Sequence, residues 1–350
     1  MTDWITVDDT DTITTDLATL RAWHTHDLSV AVAYGPVSAE DRLYLSTCPP
    51  EQRSSTALCA ALSALGVEHK VLDPTQPTFI RSLLDFDIVL SNLHGPFGED
   101  GRLQGMLDYL KVRYCGSGTA ACAIAADKIL CKRVMDSLGV PSPEWQWWTP
   151  DMPEPLWPEH AVMVKPSLGG SSIGMSLIRN RDMLPAALAR ASAADAAPVL
   201  IEEFHAGTPV TIGLLELPSG VLAFPALATR VLKGEWYDAT AKLDIDSTNP
   251  VAVELADLPH PVLDVLTSYA RNLWDGLGCR GQARVDFVVT HTDDIYALEV
   301  NPTPGMSRDS NFVTGAAMCG ITHEDTVRAL LHEAATREPY DVPLPTPVLL

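Results

Sequence analysis

Four polar residues alternate along two short apolar segments in the last fifth of the chain. Arg284 and Asp286 lie two positions apart in the first segment, and Glu299 and Asn301 lie two positions apart in the second. Residues two apart in a β-strand point to the same face, so a hairpin of these segments presents all four side chains to one surface. Asp, Glu and Asn supply the hard oxygen ligands that Mg²⁺ prefers beside phosphates, and Arg supplies a cation that holds an oxyanion. The pattern therefore predicts a metal–phosphate site beside an anion clamp.

The alternative interpretation of these residues is a surface hairpin whose polar face is simply solvated. The flanking residues are apolar, among them Val285, Phe287, Ala297 and Val300. This pattern predicts that the hairpin is part of the core. Acidic side chains on its other face would then lie in a cleft and need a partner.

Composition limits the classes of protein to which the chain can belong. Its 350 residues are 46% hydrophobic and 20% charged, which is ordinary for a globular protein of two or three lobes, while the net charge of −21 argues against a nucleic-acid-binding surface. The seven cysteines have no CxxC spacing, so we expect neither a zinc site nor a disulfide framework. We see no signal peptide and no apolar stretch long enough to span a bilayer, and therefore expect a cytoplasmic protein without membrane contact.

The first third of the chain alternates between apolar strand patterns and helical patterns. This alternation indicates a parallel α/β lobe, in which ligands bind at the carboxyl ends of the strands. Glu40 and His94 each follow such an end. The loop that begins at His94 favours acid–base chemistry and a loop-stabilising network about equally. The predicted strands are 29–34, 69–72 and 87–93, with a helix at 54–65.

The following region predicts a mixed sheet with a small, donor-rich loop. Gly169-Gly170-Ser171-Ser172 lies between two predicted strands and follows Lys165 closely. Its N–H groups and hydroxyls could wrap phosphate oxygens, although most Gly/Ser hairpins are only turns and no Walker spacing is present. The remaining predicted elements are strands at 162–166, 176–178, 199–204, 211–215 and 221–227, helices at 120–138 and 325–335, and a polar loop at 234–249.

Three further places could contact a nucleotide, and each has an ordinary structural interpretation. Lys128, with Lys132 one turn later, is interpreted from periodicity as part of a solvated helix face. Lys242 in the polar loop either closes over a nucleotide or is solvated. The segment Glu202-Glu203-Phe204 is either an adenine-binding hinge or the ordinary end of a strand.

Taken together, these segments resemble the D-alanine–D-alanine ligase family of the ATP-grasp superfamily. The resemblance covers about residues 29–332 and rests on seven motifs in the same order. They are His94-Gly-Pro-Phe-Gly-Glu-Asp-Gly-Arg-Leu-Gln-Gly-Met, Gly116-Ser-Gly, Asp127-Lys128, Lys165-Pro-Ser-Leu-Gly-Gly-Ser-Ser-Ile-Gly-Met, Tyr237-Asp238 with Lys242, Arg284-Val-Asp286, and Glu299-Val-Asn301-Pro-Thr-Pro-Gly-Met.

The resemblance implies an α/β, three-lobed ATP-grasp fold in which two lobes clamp ATP. We expect an N-terminal parallel α/β substrate lobe at 28–118, a central lobe at 119–204 and a C-terminal catalytic lobe at 205–338. Residues 1–27 are expected to form an N-terminal extension, and 339–350 a Pro-rich tail. The family also implies a homodimer that acts on small amino acids.

The resemblance also implies roles for individual residues. Arg284 and the backbone of Gly305 would stabilise a tetrahedral oxyanion. Glu40, with Ser171 as its partner, would hold the first substrate's ammonium. The metal ligands would be Asp286, Glu299 and Asn301, holding two Mg²⁺ ions for which Mn²⁺ can substitute. The residues that line the substrate pocket would be Glu40, His94, Ser171, Ser310 and Asn311. The residues that bind ATP would be Lys128, Lys165, Ser172, Glu202, Glu203, Phe204 and Lys242.

The implied chemistry is an ATP-dependent, ADP-forming ligation of a carboxylate to an amine through an acyl phosphate. The sequence departs from the family's pattern at four places that bear on the substrate. Leu243 and Pro209 stand where the family has a tyrosine and a ribose-binding acid, Asn311 replaces an apolar residue, and 35–38 replaces a double glycine. They raise the alternative of a ligase or cyclase of specialised metabolism with another amino acid or acceptor. A nucleotide-binding protein without turnover is disfavoured, because Arg284 and every metal ligand are present.

Overall fold

The computed structural model describes residues 2–156, 160–169, 174–194, 197–231 and 251–338. Its strands are, in chain order, β1 (Trp4–Ile5), β2 (Ser29–Ala33), β3 (Glu68–Leu72), β4 (Ile88–Ser91), β5 (Arg113–Tyr114), β6 (Trp145–Trp148), β7 (Val162–Pro166), β8 (Ser176–Ile178), β9 (Val199–Glu203), β10 (Gly207–Leu217), β11 (Gly220–Ala223), β12 (Leu227–Val231), β13 (Val251–Leu255), β14 (Gln282–Thr290) and β15 (Ile295–Asn301).

The helices of the described residues range from one turn to five turns. They are α1 (Thr10–Ala22), α2 (Ala39–Thr47), α3 (Ser54–Ala64), α4 (Phe79–Leu83), α5 (Arg102–Leu110), α6 (Thr119–Ala126), α7 (Lys128–Leu138), α8 (Leu184–Ala194), α9 (His260–Leu277), α10 (Asn311–Met318) and α11 (His323–Thr336). Within the described ranges, no helix combines the length and the apolar character needed to cross a membrane.

The first sheet is parallel and has the strand order β3-β2-β4-β5. Its central strand β2 is an unbroken run of small apolar residues, and Val30 to Ala33 are completely buried. Such a run is typical of a parallel strand that is covered on both faces. The structure therefore confirms the predicted parallel α/β arrangement of this region.

The second sheet is antiparallel, with the order β6-β9-β7-β8, and carries α8 on one face. Its small core lies between β7, β9 and α8. Strand β7 ends at Lys165-Pro166 and leads into the Gly/Ser loop. Because β7 and β9 are antiparallel, the end of β7 lies beside the start of β9, with Lys165 opposite Leu200.

The third sheet contains the predicted hairpin as β14 and β15. Its seven strands follow the order β1-β11-β10-β12-β13, with β14 paired to β10 and β15 paired to β14. The hairpin register places Arg284 opposite Asn301 and Asp286 opposite Glu299. Helix α9 covers the apolar face, where Val285 and Ala297 are completely buried. The prediction of a hairpin in the core is confirmed.

Residues 2–27, the expected N-terminal extension, contain a short helix and are packed into the molecule. Strand β1 pairs in parallel with β11, and α1 packs against α11. Ile13, Leu17 and Leu20 of α1 are buried in the same core as β2 and α11. The polar, Thr-rich composition did not indicate this packing, because α1 buries only one narrow stripe of its surface. The outer boundaries of the lobes stay predictions.

The single helix predicted over 120–138 is two helices, α6 and α7. Asp127 lies between them in an extended conformation, and its carboxylate accepts hydrogen bonds from the N–H groups of Ile129 and Leu130. The side chain thus caps a new helix N-terminus. The break matters for the site, because it makes Lys128 the first residue of α7.

All seven cysteines are free thiols.

Candidate active site

The polar face of the β14–β15 hairpin is organised by a fork between Arg284 and Asp286. Arg284 Nε lies 2.9 Å from Asp286 Oδ1, and Nη2 lies 2.8 Å from Oδ2. Thr211 of β10 donates a further hydrogen bond of 2.6 Å to Asp286 Oδ1. Bidentate pairing fixes the orientation of a guanidinium as well as its position. The fork therefore presents a preorganised cation on this face.

Arg284 lies in a strongly acidic environment. Burial by itself would lower its pKa, but the charge of Asp286 and those of Glu299 and Glu99 raise the pKa above its ordinary value. Glu99 belongs to the loop after β4, so the first lobe contributes to the field at this site. The guanidinium is consequently charged at every accessible pH and can bind an anion or an oxyanion.

The other residues of this face fit a hard divalent cation by the chemistry of their donors. Asp286, Glu299 and Asn301 offer carboxylate and amide oxygens on adjacent strand positions. The hydrogen bonds from Arg284 and Thr211 leave further lone pairs on Asp286. Among the described residues, no three His, Cys, Asp or Glu side chains form a group that could hold a metal ion. Metal binding here therefore requires the Asn301 amide or oxygens of the substrates.

The segment after β15 is held at three points. Asn301 Oδ1 accepts from the Thr303 N–H at 2.8 Å, Asn92 Nδ2 donates to the Pro304 carbonyl at 3.1 Å, and His323 Nε2 lies 2.9 Å from the Met306 carbonyl. Gly305 lies between the last two contacts. A Cβ atom added to Gly305 would meet only Ser310 Cβ, at 3.8 Å. Open space therefore adjoins the Gly305 backbone, as an oxyanion donor requires.

The buried carboxylate of Glu202, on β9 of the second sheet, pairs with two lysines. Glu202 Oε2 lies 2.8 Å from Lys132 Nζ, and Glu202 Oε1 bonds Lys165 Nζ. Lys128 Nζ donates to the Gly169 carbonyl at the start of the Gly/Ser loop. The interpretation of Lys128 and Lys132 as a solvated helix face is wrong, because both side chains are buried against the sheet.

The charges of this cluster are not balanced. Burial favours the neutral acid at Glu202, yet Lys165 and Lys132 hold its pKa below the ordinary value, so the carboxylate is ionised. Burial lowers the pKa of Lys132, and the Glu202 charge opposes this. Lys132 and Lys165 share this one carboxylate, so the three side chains together carry one excess positive charge. That charge can attract nucleotide phosphates.

The hinge after β9 leads directly to the hairpin. The Glu203 N–H bonds the Glu144 carbonyl at 2.9 Å, and the Phe204 N–H bonds the Ala161 carbonyl at 2.8 Å. His205 stacks on Tyr296 of β15, with ring centroids 3.9 Å apart. The second and third sheets therefore meet at this hinge. The Glu202 side chain is committed to the lysines, and its predicted adenine contact stays a prediction.

In the first lobe, the predicted pocket residue His94 lies in a hydrogen-bonded network with Glu99 and Gly95. His94 Nδ1 lies 3.3 Å from Glu99 Oε1, and Glu99 Oε2 accepts from the Gly95 N–H at 2.7 Å. These contacts agree with the interpretation of this segment as a loop-stabilising network. Acid–base catalysis by His94 stays a prediction.

Ser310 caps α10 by accepting from the Val313 N–H at 3.4 Å, and Asn311 is the first residue of that helix.

Several predicted residues lie outside the described residues. Ser171, Ser172, Lys242 and Leu243 fall in the gaps of the structure, and Glu40 is described only through the backbone of α2. The structure brings together Arg284, Asp286, Glu299 and Asn301 on one face. It pairs Lys165 with Glu202, while Lys128 contacts the Gly169 carbonyl. Sequence reasoning missed Lys132 as an ion-pair partner and Asn92 as a contact of the Gly305 loop. The buried Asn92 had a signal, since it is polar beside an apolar strand.

Family models and known proteins match most of this chain. The family model described as the N-terminus of D-ala D-ala ligase matches residues 13–117, and the one described as its C-terminus matches residues 154–332. A D-alanine–D-alanine ligase of a Synechococcus strain is 34% identical over 324 residues, covering 89% of this chain and 94% of that protein. The Bordetella pertussis D-alanine–D-alanine ligase is 33% identical over 316 residues, covering 88% and 95%.

A solved structure has the same fold. The crystal structure of D-alanine–D-alanine ligase from Bacillus anthracis superposes with a TM-score of 0.74 at 24% identity, covering 88% of this chain and 97% of that one. Fold and site together define an ATP-grasp enzyme, an ATP-dependent ligase that releases ADP and forms a peptide bond. The chain belongs to the D-alanine–D-alanine ligase family. The alternative of a ligase or cyclase of specialised metabolism is not favoured by these relatives.

Proposed function

We propose that this ligase joins two D-alanine molecules, using ATP and Mg²⁺. The substrate is inferred from the relatives, whose names specify D-alanine. One structural observation carries the chemistry: the Arg284–Asp286 fork lies on the same hairpin face as Glu299 and Asn301 and leads into the Gly305 loop. A cation for an oxyanion is thereby placed beside oxygen donors for a metal.

The proposed reaction has two steps. The carboxylate of the first amino acid attacks the γ-phosphorus of ATP, which forms an acyl phosphate and releases ADP. The amine of the second amino acid then attacks the acyl carbon, and the tetrahedral intermediate expels inorganic phosphate. Phosphorylation is needed because a carboxylate oxygen is a poor leaving group. Mg²⁺ held by Asp286, Glu299 and Asn301 would neutralise phosphate charge during the transfer.

The chain's own residues divide the work between the two steps. The lysine cluster of Lys128 and Lys165 attracts the phosphates, and Lys132 keeps Glu202 in place beneath them. Arg284 and the Gly305 N–H stabilise the oxyanion of the second step, since a guanidinium and a backbone N–H are the donors that such an oxyanion requires. Lys242 and Ser172 would complete the phosphate contacts, and Glu40 with Ser171 would hold the first ammonium group.

The test is phosphate release with ATP and Mg²⁺ across a panel of single D- and L-amino acids and their pairs, with mass spectrometry of the products. Release with D-alanine alone, together with a D-alanyl-D-alanine product, supports the proposal. Release only with another amino acid or pair would show that Leu243, Asn311 and their neighbours mark a changed substrate. A homodimer and a cytoplasmic location also stay proposals, and sedimentation analysis tests the first of them.

A further inference from the structure

Asn92 links the first sheet to the loop that contains Gly305. It follows β4 directly, is 1% exposed, and its N–H bonds the Ala33 carbonyl at the end of β2 at 3.1 Å. Its side-chain Nδ2 lies 3.1 Å from the carbonyl oxygen of Pro304, 212 positions away. A carbonyl can only accept, so the atom facing it is the donor nitrogen. The side chain is therefore anchored at its backbone by a rigid sheet edge.

This contact fixes the orientation of one particular peptide group. The Pro304–Gly305 peptide is trans, like the other peptide bonds of the described residues. In a planar trans peptide the C=O and N–H bonds point in opposite directions. Holding the Pro304 oxygen towards Asn92 therefore turns the Gly305 N–H away from Asn92. Donation to the carbonyl also polarises the amide and strengthens its N–H as a donor.

The Gly305 N–H is the donor group of this peptide. Within the described ranges, no acceptor takes a hydrogen bond from it. The two flanking anchors act on other peptide groups, because Asn301 accepts from the Thr303 N–H and His323 contacts the Met306 carbonyl. Of these three contacts, the one from Asn92 alone touches the peptide that carries the Gly305 N–H.

We propose that Asn92 is a positioning residue for the second chemical step, holding the Pro304–Gly305 peptide so that its N–H meets the oxyanion formed when the amine attacks. The inference rests on the proposed function, which assigns the Gly305 N–H to that oxyanion. Asn92 touches no reacting atom. Its effect passes through one backbone amide, and it makes the first sheet part of the catalytic apparatus of the third.

The decisive variant is Asn92→Asp, which keeps the shape of the side chain but replaces the donor by an acceptor. We expect kcat for ligation to fall by about 10- to 100-fold, since a missing oxyanion donor costs about 10²–10³-fold and a misdirected one costs less. The KM values for ATP and both amino acids should change little, because the interaction forms only in the transition state. Asn92→Ala should behave similarly without adding a buried charge.

The two steps can be separated by isotope exchange. With ATP carrying ¹⁸O in the β,γ-bridge and with D-alanine, scrambling of the label reports reversible phosphoryl transfer, and dipeptide formation measured in the same sample reports amine attack. We expect scrambling by both variants to stay within about twofold of the wild type, because the Gly305 N–H does not act in that step. Thermal unfolding of each variant verifies that the fold is intact.

The matched control is Asn180→Asp. Asn180 is exposed, and its side-chain oxygen accepts from the Asp182 N–H at 3.0 Å, a role that Asp retains. This variant should ligate at the wild-type rate. Wild-type kcat in folded Asn92→Asp and Asn92→Ala would overturn the positioning role and leave the proposed function standing. Equal loss of scrambling and ligation would also overturn it.

Failure of the proposed function has a different signature. In that case the wild-type enzyme itself would give no label scrambling with any amino acid, and no acyl phosphate would form. If Asn92→Asp does not fold, Asn92→Ala carries the test, since it introduces no charge. If both variants unfold, Asn92 is a structural residue and the positioning role is wrong.

Discussion

Two carboxylates of this enzyme are each held by two partners, but with different consequences. Asp286 accepts hydrogen bonds from Arg284 and Thr211 on the polar face of the hairpin, and Glu202 pairs with Lys132 and Lys165 in the interior. In the first case the cation is the proposed functional group and the acid orients it. In the second case the acid is the central anchor and the cations surround it. Substitutions at the two places should therefore change different properties.

Replacing Arg284 tests the oxyanion site. Arg284→Lys keeps the charge but loses the fork on Asp286, and Arg284→Ala loses both. We expect kcat to fall by about 10²–10³-fold in Arg284→Lys and further in Arg284→Ala, while ATP affinity survives. Steady-state kinetics and calorimetric titration with ATP measure the two quantities.

The matched control for Arg284 is Arg308→Lys. Arg308 is 60% exposed on its side chain and lies 3.7 Å from Glu324, so its exchange should leave kcat unchanged. Near wild-type ligation by Arg284→Ala would show that the oxyanion is stabilised elsewhere.

Replacing Lys132 tests the interior anchor. Lys132→Met fills a similar volume but leaves Glu202 with Lys165 alone. Breaking a buried ion pair costs about 3–5 kcal/mol, and we expect the lower end because one partner remains. Urea unfolding of Lys132→Met beside exposed Lys70→Met measures the difference. Equal stability of the two variants would mean that water reaches Glu202.

The two strands of the hairpin could be predicted from the sequence, whereas the long-range contact of Lys132 could not. Arg284 and Asp286 alternate with Val285 and Phe287, so one strand period assigns both faces. Lys132 looked solvated because periodicity describes a helix alone, while its burial depends on β9, which lies about 70 positions later. Contacts of that range depend on tertiary packing, which no local pattern encodes.

The break at Asp127 illustrates a second limit of local patterns. The residues on both sides of it are good helix formers, so the sequence favours one continuous helix. Asp127 accepts two N–H bonds at the start of α7 instead. The capping residue was visible in the sequence, but the competition between cap and continuation is decided by what Lys128 and Ile129 pack against.

The junction of α1 and α11 allows a prediction at the scale of elements. Arg21 forks onto Asp325, with distances of 2.9 Å and 2.6 Å, and Asp325 also closes the capping box with Thr322. Burial would raise the pKa of Asp325, but Arg21 and Thr322 hold it below the ordinary value of 3.8. Asp325→Asn should therefore lose about 1–2 kcal/mol of unfolding free energy at neutral pH.

The sign of the pH dependence follows from that lowered pKa. The stabilisation by Asp325 is complete above its unfolded-state pKa and is lost as the pH falls through the folded one, so the difference between wild type and Asp325→Asn should vanish in acid. Urea unfolding at several pH values measures it. The control is Asp264→Asn on the exposed side of α9, for which we expect no difference at any pH.

At the scale of the molecule, the last helix joins the first lobe to the third. Arg337, just after α11, donates to the carbonyls of Gly116 and Tyr114, and its Nε lies 3.4 Å from Glu333 Oε1. Arg113 of β5 donates in return to the end of α11. The lobes are thus connected by α11, whose first residue, His323, also contacts the Met306 carbonyl beside Gly305.

Glu333 makes this junction sensitive to pH. Burial raises the pKa of its carboxyl from 4.5 to about 7, against the opposing charge of Arg337. The folded state therefore keeps a proton that the unfolded state releases, so stability should fall by on the order of 3 kcal/mol as the pH rises from about 4.5 to above 7. Glu333→Gln should remove this slope, and Glu338→Gln should leave it unchanged. Thermal unfolding across that pH range is the measurement.

Helix α1 packs against a partner, α11, that the ribosome makes much later. Arg21 and Asp325 are separated by 304 positions. At typical elongation speeds, roughly 15 to 60 s pass between the synthesis of these two residues. During that interval Ile13, Leu17 and Leu20 have no α11 to cover them. The nascent chain therefore carries an uncovered apolar stripe during this interval, and a chaperone that binds this stripe would protect it.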